Sequence, residues 1–503
     1  MDSKHTQSLT SFVAISAYVA ATVLISGQFN ELVPEPYMDE IFHVKQAKTY
    51  CEGRWFEWDA KITTPPGLYL PAAVLHRLLP KWFPCSVDGL RSLNAVLLCI
   101  LPWLNSRIMS HFRTTPYPPY PGVKPRVRFL IPEDDIILEA IVISCFPIAY
   151  FSGFLFYTDL ASLISILACY DQSLTGRHFT AGLLGLLSCT FRQTNVIWVG
   201  FIAGSALVAQ FKTIPTIPGE PTKSTSLQLQ PKLFDPPLMD CSLRVHLNFS
   251  LRSLIIGVSL NFISVLWVMY PYLGVVACFV VFLIWNGGIV LGDKSSHEVI
   301  AHFPQVYYFV AFAVIFLTPL LIDQVLIRRS LAGLCRSYSL VLKTISACLV
   351  MLWTVYKFTY EHPFLLADNR HYVFYVWRRV FKFHYTVKYA FVPGYLVCMR
   401  LLWERLARSY TITLLSMLFY SIGLLMTLVP SPLIEPRYFL VPYVLLRLHI
   451  RPVVEESKSW SLRLVGEGSL YGVINALTLG MFLYRPWKTQ PGQWEGTWQR
   501  FMW

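Results

Sequence analysis

The string Pro36-Tyr37-Met38-Asp39-Glu40-Ile41-Phe42-His43 sets two adjacent carboxylates just beyond the first apolar run. Neighbouring acids repel, so one of them is expected to hold its proton more tightly than an isolated acid and to be poised as a base. Successive side chains on a helix diverge, which leaves only one of Asp39 and Glu40 to face a substrate. The plain alternative is a solvated acidic loop that helps fix topology.

Four more strings could supply the rest of a site. Trp58 and Asp59 precede the turn Pro65-Pro66-Gly67. At a membrane interface aromatics anchor and Pro-Gly turns connect, yet beside an acidic pair these residues, with Tyr37, can line a groove for a sugar or lipid head group. Arg192, in Phe191-Arg192-Gln193-Thr194-Asn195, interrupts an apolar run. An ionisable group there is costly, and is either paired and functional or a snorkelling residue at a helix end. The turn from Asn286 carries Asp293, Lys294 and His297: an acid, a cation and a base, or an ordinary polar cap. The stretch after His362 carries Asp368, Asn369, Arg370 and His371, and arginine suits phosphate because its planar fork makes two charge-assisted hydrogen bonds. No GxxxxGK[ST], HExxH or GxSxG string is present, and no metal-ligand spacing appears. Neither a nucleotide-driven transporter nor a metalloprotease is expected, and no cofactor or metal is expected either.

The elements that hold these groups must be built mostly of apolar surface. Hydrophobic residues make up 54% of the 503-residue chain and charged residues 14%, against about 25% charged in an ordinary globular protein. The net charge of +13 is scattered between apolar runs of membrane-spanning length, so it marks topology and not a nucleic-acid surface. An all-α polytopic membrane protein with about 11–14 spans is the expectation. Residues 1–27 read as tail and first transmembrane helix, 28–67 as the first non-cytoplasmic loop with the acidic motif, and 68–211 as helices with short loops. Residues 212–252, rich in Pro, Ser and Thr, read as a cytoplasmic linker. Residues 253–503 read as further spans with polar loops near 292–303, 361–379 and 430–437. The run Leu254–Leu291 reads equally as one long broken helix or as two short ones around Pro271. Most of the eleven cysteines lie in apolar stretches as small hydrophobes. Cys51 and Cys85 lie near polar loops and could pair in an oxidising compartment, although spacing does not decide connectivity.

The stretches YMDEIFHVKQAKTYCEGRWFEWDAKITTPPGLYL, FRQTN, NGGIVLGDKSSHE, HPFLLADNRHYVFYVWRR, PRYFLVPY and RFMW resemble a family of eukaryotic endoplasmic-reticulum α-1,2-glucosyltransferases. The resemblance implies a GT-C fold in the endoplasmic reticulum membrane with a lumenal active site. It implies transfer of glucose from dolichyl phosphate glucose to the diglucosylated dolichyl-diphosphate oligosaccharide, with inversion, as the last step in building the N-glycan precursor. It places the acidic motif at Asp39 and Glu40, Asp39 being the expected base and Glu40 its alternative. A leaving phosphate gathers negative charge, so Arg370, His371, Arg192 and, more weakly, Lys294 are its expected partners. Two competing readings are a multispanning transporter or channel-associated protein, with Arg192 and Asp293 lining a path, and a sister transferase working from another dolichyl-phosphate sugar.

Overall fold

The computed structural model describes residues 2–114, 133–212, 233–294, 299–452, 457–488 and 498–503. Among them the chain is helical apart from one two-stranded ribbon, Trp487–Lys488 against Trp498–Gln499. The first half contains α1 (Asp2–Leu32), α2 (Glu40–Cys51), α3 (Tyr69–Leu78), α4 (Val87–Thr114), α5 (Glu133–Ser144), α6 (Pro147–Ser152), α7 (Thr158–Leu174), α8 (His178–Phe191) and α9 (Asn195–Lys212). After these come α10 (Leu243–Leu260), α11 (Phe262–Asn286), α12 (Pro304–Leu321), α13 (Gln324–Cys335) and α14 (Tyr338–Phe358). Three short helices, α15 (Pro363–Ala367), α16 (Tyr372–Val376) and α17 (Val387–Ala390), lead to α18 (Val392–Ser409), α19 (Leu414–Leu428), α20 (Leu440–Leu448) and α21 (Ser457–Tyr484).

Among the described residues five helices are long and apolar enough to cross a bilayer: Leu9–Leu32, Val87–Phe112, Phe262–Asn286, Pro304–Leu321 and Tyr338–Phe358. Shorter apolar helices, among them His178–Phe191 and Leu414–Leu428, account for runs counted as spans in the sequence. The chain is thus an all-α polytopic membrane protein whose outward faces stay apolar, as Trp267, Ile284 and Trp285 on α11 show. The ambiguous run after Leu254 resolves at Asn261, where α10 stops and α11 begins; α11 then continues through Pro271. Gly182 on α8 lets that proline approach, since a Cβ there would lie 2.5 Å from the Pro271 Cβ. Of the expected linker 212–252, residues 213–232 lie outside the described residues. Residues 233–242 dock on α19, where Asp235 Oδ1 accepts from Leu415 N at 3.0 Å, and Leu243 onward is α10.

One end of the bundle gathers the polar loops. There α4 acts as a clamp through two residues one turn apart. Arg91 donates to the Val33 and Glu35 carbonyls at 2.7 and 3.3 Å, and Asn94 donates to the Leu155 and Tyr157 carbonyls at 2.6 and 2.8 Å. Both loops that meet at Asp39 are therefore tied to one rigid helix. A Cys51–Cys85 disulfide, with its sulfurs 2.04 Å apart, joins the far end of α2 to the approach to α4.

Candidate active site

The backbone at Met38 adopts φ +56°, a left-handed conformation that costs a non-glycine residue about 1 kcal/mol or more. This kink starts α2 at Glu40 and points the two neighbouring carboxylates in different directions. The Glu40 side chain is fully buried. Arg91 grips it with two nitrogens, Nε to Oε1 at 2.9 Å and Nη2 to Oε2 at 2.6 Å, while Phe156 N and Tyr37 N donate to it at 2.7 and 3.1 Å. All its lone pairs are directed into the scaffold.

Asp39 faces the other way. Its side chain is 44% exposed, and Oδ2 accepts one hydrogen bond from Arg437 Nη1 at 2.9 Å. Its backbone N–H donates to the Tyr157 hydroxyl at 3.2 Å. Burial would raise the Asp39 carboxyl, but Arg437, through charge and hydrogen bond, and then His43 and His371 outweigh it and hold the group below its ordinary value. The sequence had suggested the opposite direction, from mutual repulsion of Asp39 and Glu40. Each acid has its own arginine, and at Asp39 the attraction of Arg437 governs in place of repulsion from its neighbour. His43, one turn into α2, shares its Nδ1 with the Tyr69 hydroxyl at 2.6 Å. Burial lowers its proton affinity and Asp39 restores only part of it.

Arg437 lies in the 3-10 turn Pro436–Phe439. Its other face holds Glu435, with Nη2 and Nε at 2.9 and 3.2 Å from Oε2, and its guanidinium lies 5.7 Å from the Tyr157 ring centroid. Behind it is a polar cavity of about 30 Å³ whose lining includes Asp159, Arg192, Asn195, Arg437 and Tyr438. Arg192 Nη2 bonds Asp159 Oδ1 at 2.7 Å. The second Asp159 oxygen and Arg192 Nε are buried without a hydrogen-bond partner. The turn that presents Arg192 is fixed by Asn195, which donates to Ser188 O and Ser162 Oγ, both at 2.8 Å.

Beside this polar cavity runs an apolar groove of about 560 Å³ between α8 and α11. The lining includes Trp58 and Pro65–Pro66, Phe279 and Trp285 of α11, and Gln193, next to Arg192. Gln193 Nε2 also donates to Thr63 O at 2.6 Å. The groove and the polar cavity are thus the two sides of one turn.

The remaining residues singled out in the sequence fall elsewhere. Asp59 stays in its own loop, accepting from Lys61 N at 3.0 Å and facing Lys45 at 3.8 Å. Asp293 is pinned by its backbone N–H to Ala60 O at 2.8 Å, next to Gly292, whose φ of +63° and approach to that carbonyl leave no room for a side chain. Lys294 is exposed and bonded to the Asn286 carbonyl. His297 lies outside the described residues. Tyr37, Asp368, Arg370 and His371 form a second cluster. Arg370 spans both oxygens of Asp368 at 2.8 and 2.7 Å and reaches Gln499 Oε1 at 2.9 Å. His371 Nδ1 meets Trp503 O at 2.9 Å, and the Tyr37 hydroxyl donates to Arg500 O at 2.7 Å and accepts from Arg500 N at 2.8 Å. Asn369 sits exposed in the turn between Asp368 and Arg370. This cluster docks residues 498–503, and only His371 acts on Asp39. Among the described residues no group of three or more His, Cys, Asp or Glu side chains is placed to hold a metal ion.

Arg437, Asp159, Arg91 and Tyr157 were not picked out from the sequence as site residues. Arg437 stands in the stretch PRYFLVPY, at the edge of an apolar run, where a lone cation is the available signal.

A family model described as the DIE2/ALG10 family matches residues 33–448. A rat protein named Dol-P-Glc:Glc(2)Man(9)GlcNAc(2)-PP-Dol alpha-1,2-glucosyltransferase is 36% identical, over 97% of this chain and 98% of its own length. Proteins of the same name from human and Arabidopsis thaliana are 35% and 34% identical, covering 97% and 98% of this chain and 98% and 99% of their own lengths. No solved structure matches the chain.

Proposed function

The chain belongs to the DIE2/ALG10 family, and from that premise we propose how its polar end performs the reaction for which its relatives are named. The protein is a dolichyl-phosphate-glucose-dependent α-1,2-glucosyltransferase acting on the diglucosylated dolichyl-diphosphate oligosaccharide. One inversion at the anomeric carbon converts a β-linked donor to an α product, so a single base suffices and no glycosyl-enzyme is needed.

Asp39 is that base. The observation that carries the assignment is its half-exposed carboxylate beside the arginine-lined cavity, while its neighbour Glu40 is consumed by Arg91. As the acceptor's 2-hydroxyl oxygen bonds to C1 of glucose, its proton passes to Asp39 and the C1–O bond to phosphate breaks. The electron pair stays on dolichyl phosphate, whose growing charge Arg192 faces from the cavity wall. The donor's isoprenoid chain lies in the apolar groove, whose wall at Gln193 leads directly to Arg192. Asp39 shares its end of the bundle with the Cys51–Cys85 disulfide, which supports placing that end in the oxidising lumen of the endoplasmic reticulum.

Asp39→Asn tests the base. With purified enzyme and both lipid substrates, transfer should fall by about 10²–10⁴-fold while the protein folds normally. Full activity in this variant rules the assignment out.

A further inference from the structure

The charges around the polar cavity do not leave a free cation. Asp39, Glu435 and Asp159 surround Arg437, and Asp159 also binds Arg192. With three carboxylates against two guanidinium groups, an arriving phosphate must take an arginine from an acid that already holds it. The contacts rank which acid yields. Asp159 is almost fully buried and grips Arg192 at 2.7 Å. Glu435 holds two nitrogens of Arg437. Asp39 holds one nitrogen, and its 44% exposure lets water compensate for the separation. The cavity behind Arg437, about 30 Å³, has room for about one water. A glucosyl phosphate therefore enters only if a wall moves, and Arg437 is the part of the wall held at one point toward Asp39.

We propose that Arg437 is exchanged between Asp39 and the donor phosphate, so that the donor binds first and its arrival uncovers the base for the acceptor. This rests on the assignment of Asp39 as base and extends it to the order of the reaction. In the free enzyme Asp39 is masked and its proton affinity depressed, burial being outweighed by Arg437, His43 and His371. The other titratable groups near it are the Tyr157 and Tyr69 hydroxyls and, across Arg437, Glu435 and Asp159. Once the phosphate takes Arg437, Asp39 loses its nearest cation and gains an anion nearby. Both changes raise its proton affinity, so the carboxylate becomes a stronger base only when a donor is in place.

The test uses full-length enzyme in lipid nanodiscs, with dolichyl phosphate glucose and the diglucosylated acceptor varied together across pH. Wild-type enzyme should show dolichyl phosphate competing with donor but not with acceptor. Its acid limb in kcat, which reports the donor-bound complex, should lie at higher pH than the limb in kcat/KM for donor, which reports the free enzyme. Arg437→Gln should raise the donor KM by about tenfold or more, the loss of one charge-assisted hydrogen bond, and should bring the two limbs together. Arg437→Lys should recover part of the donor KM. Random addition of substrates in the wild type overturns the proposal whether or not the variants fold. So does a donor KM unchanged in Arg437→Gln, or a fall in kcat alone with the separation of the limbs intact, which is what a purely structural role gives. Asp39→Asn separates the two levels. If it stays active, the base assignment has failed; if it is dead while Arg437→Gln behaves as wild type, only the exchange has failed.

Discussion

Replacing Glu40 by Ala should unfold the active end without touching its chemistry, and this divides two carboxylates that adjoin in sequence. The Glu40 side chain is completely buried and Arg91 is 1% exposed. Removing the carboxylate leaves a guanidinium in an apolar setting, and breaking a buried pair from one side costs about 3–5 kcal/mol. Phe156 N and Tyr37 N lose their acceptors as well, at about 1–3 kcal/mol for each donor left without a partner. The terms share two oxygens and overlap, so about 5 kcal/mol in total is expected. Asp39→Asn breaks a single, half-exposed contact worth about 0–1 kcal/mol. Apparent melting temperature in detergent should therefore drop sharply for Glu40→Ala and stay near wild type for Asp39→Asn. Replacing both partners, Glu40→Leu with Arg91→Met, removes the stranded charge and should recover part of the stability, the part lost with the acceptors of Phe156 N and Tyr37 N and the donors to Val33 O and Glu35 O remaining. That double variant, once folded, should retain substantial transfer with no carboxylate at position 40. A Glu40→Ala enzyme as stable as wild type but inactive, or a folded double variant with no transfer, would refute the division of roles.

Arg370→Ala should act through docking and not through the donor. The fork of Arg370 is occupied by Asp368 and Gln499, and its carbonyl accepts from Met502 N at 2.9 Å, so hydrogen exchange at residues 498–503 should rise while the donor KM changes little. A selective rise in donor KM with those residues still protected would return Arg370 to the phosphate. In the apolar groove, Phe279→Arg should raise the KM for full-length dolichyl phosphate glucose by about tenfold or more, because a charge then faces the buried isoprenoid. A short-chain donor analogue should be nearly indifferent to it. Equal losses for both donors would mean that the chain lies elsewhere.

The membrane character of the chain was legible in composition, because 54% hydrophobic residues with 14% charged cannot be covered by a water-facing surface. The spans themselves were less so. Apolar runs were counted as spans, whereas α8, α19 and the broken α5–α6 do their packing with helices shorter than a full crossing. Asp39 stands out as a candidate in the sequence because an acid next to a long apolar run is conspicuous. Its counter-ion does not, since Arg437 lies 398 residues further along the chain and Arg91, which pairs with the buried Glu40, lies 51 residues from its partner. In the same way the sequence does not show that Arg370 is bonded to Gln499 and Lys294 to the Asn286 carbonyl.

In a chain with so few charges each one is easy to find and its pairing decides what it does. A low-dielectric fold tolerates a charge only with a partner, so the informative quantity is how completely each pair is closed. Glu40–Arg91 is bidentate, buried and saturated, and has nothing left to offer a substrate. Asp159–Arg192 is buried but leaves one oxygen and one nitrogen without a hydrogen-bond partner beside the cavity that both residues line. Asp39–Arg437 is held by one hydrogen bond at the edge of solvent. Ordered by closure, the three pairs run from scaffold, through positioning, to the one contact that can be exchanged for a phosphate at small cost. That gradation, set by Met38's left-handed turn and by the two clamps on α4, is what lets two neighbouring acids in one motif serve such different ends.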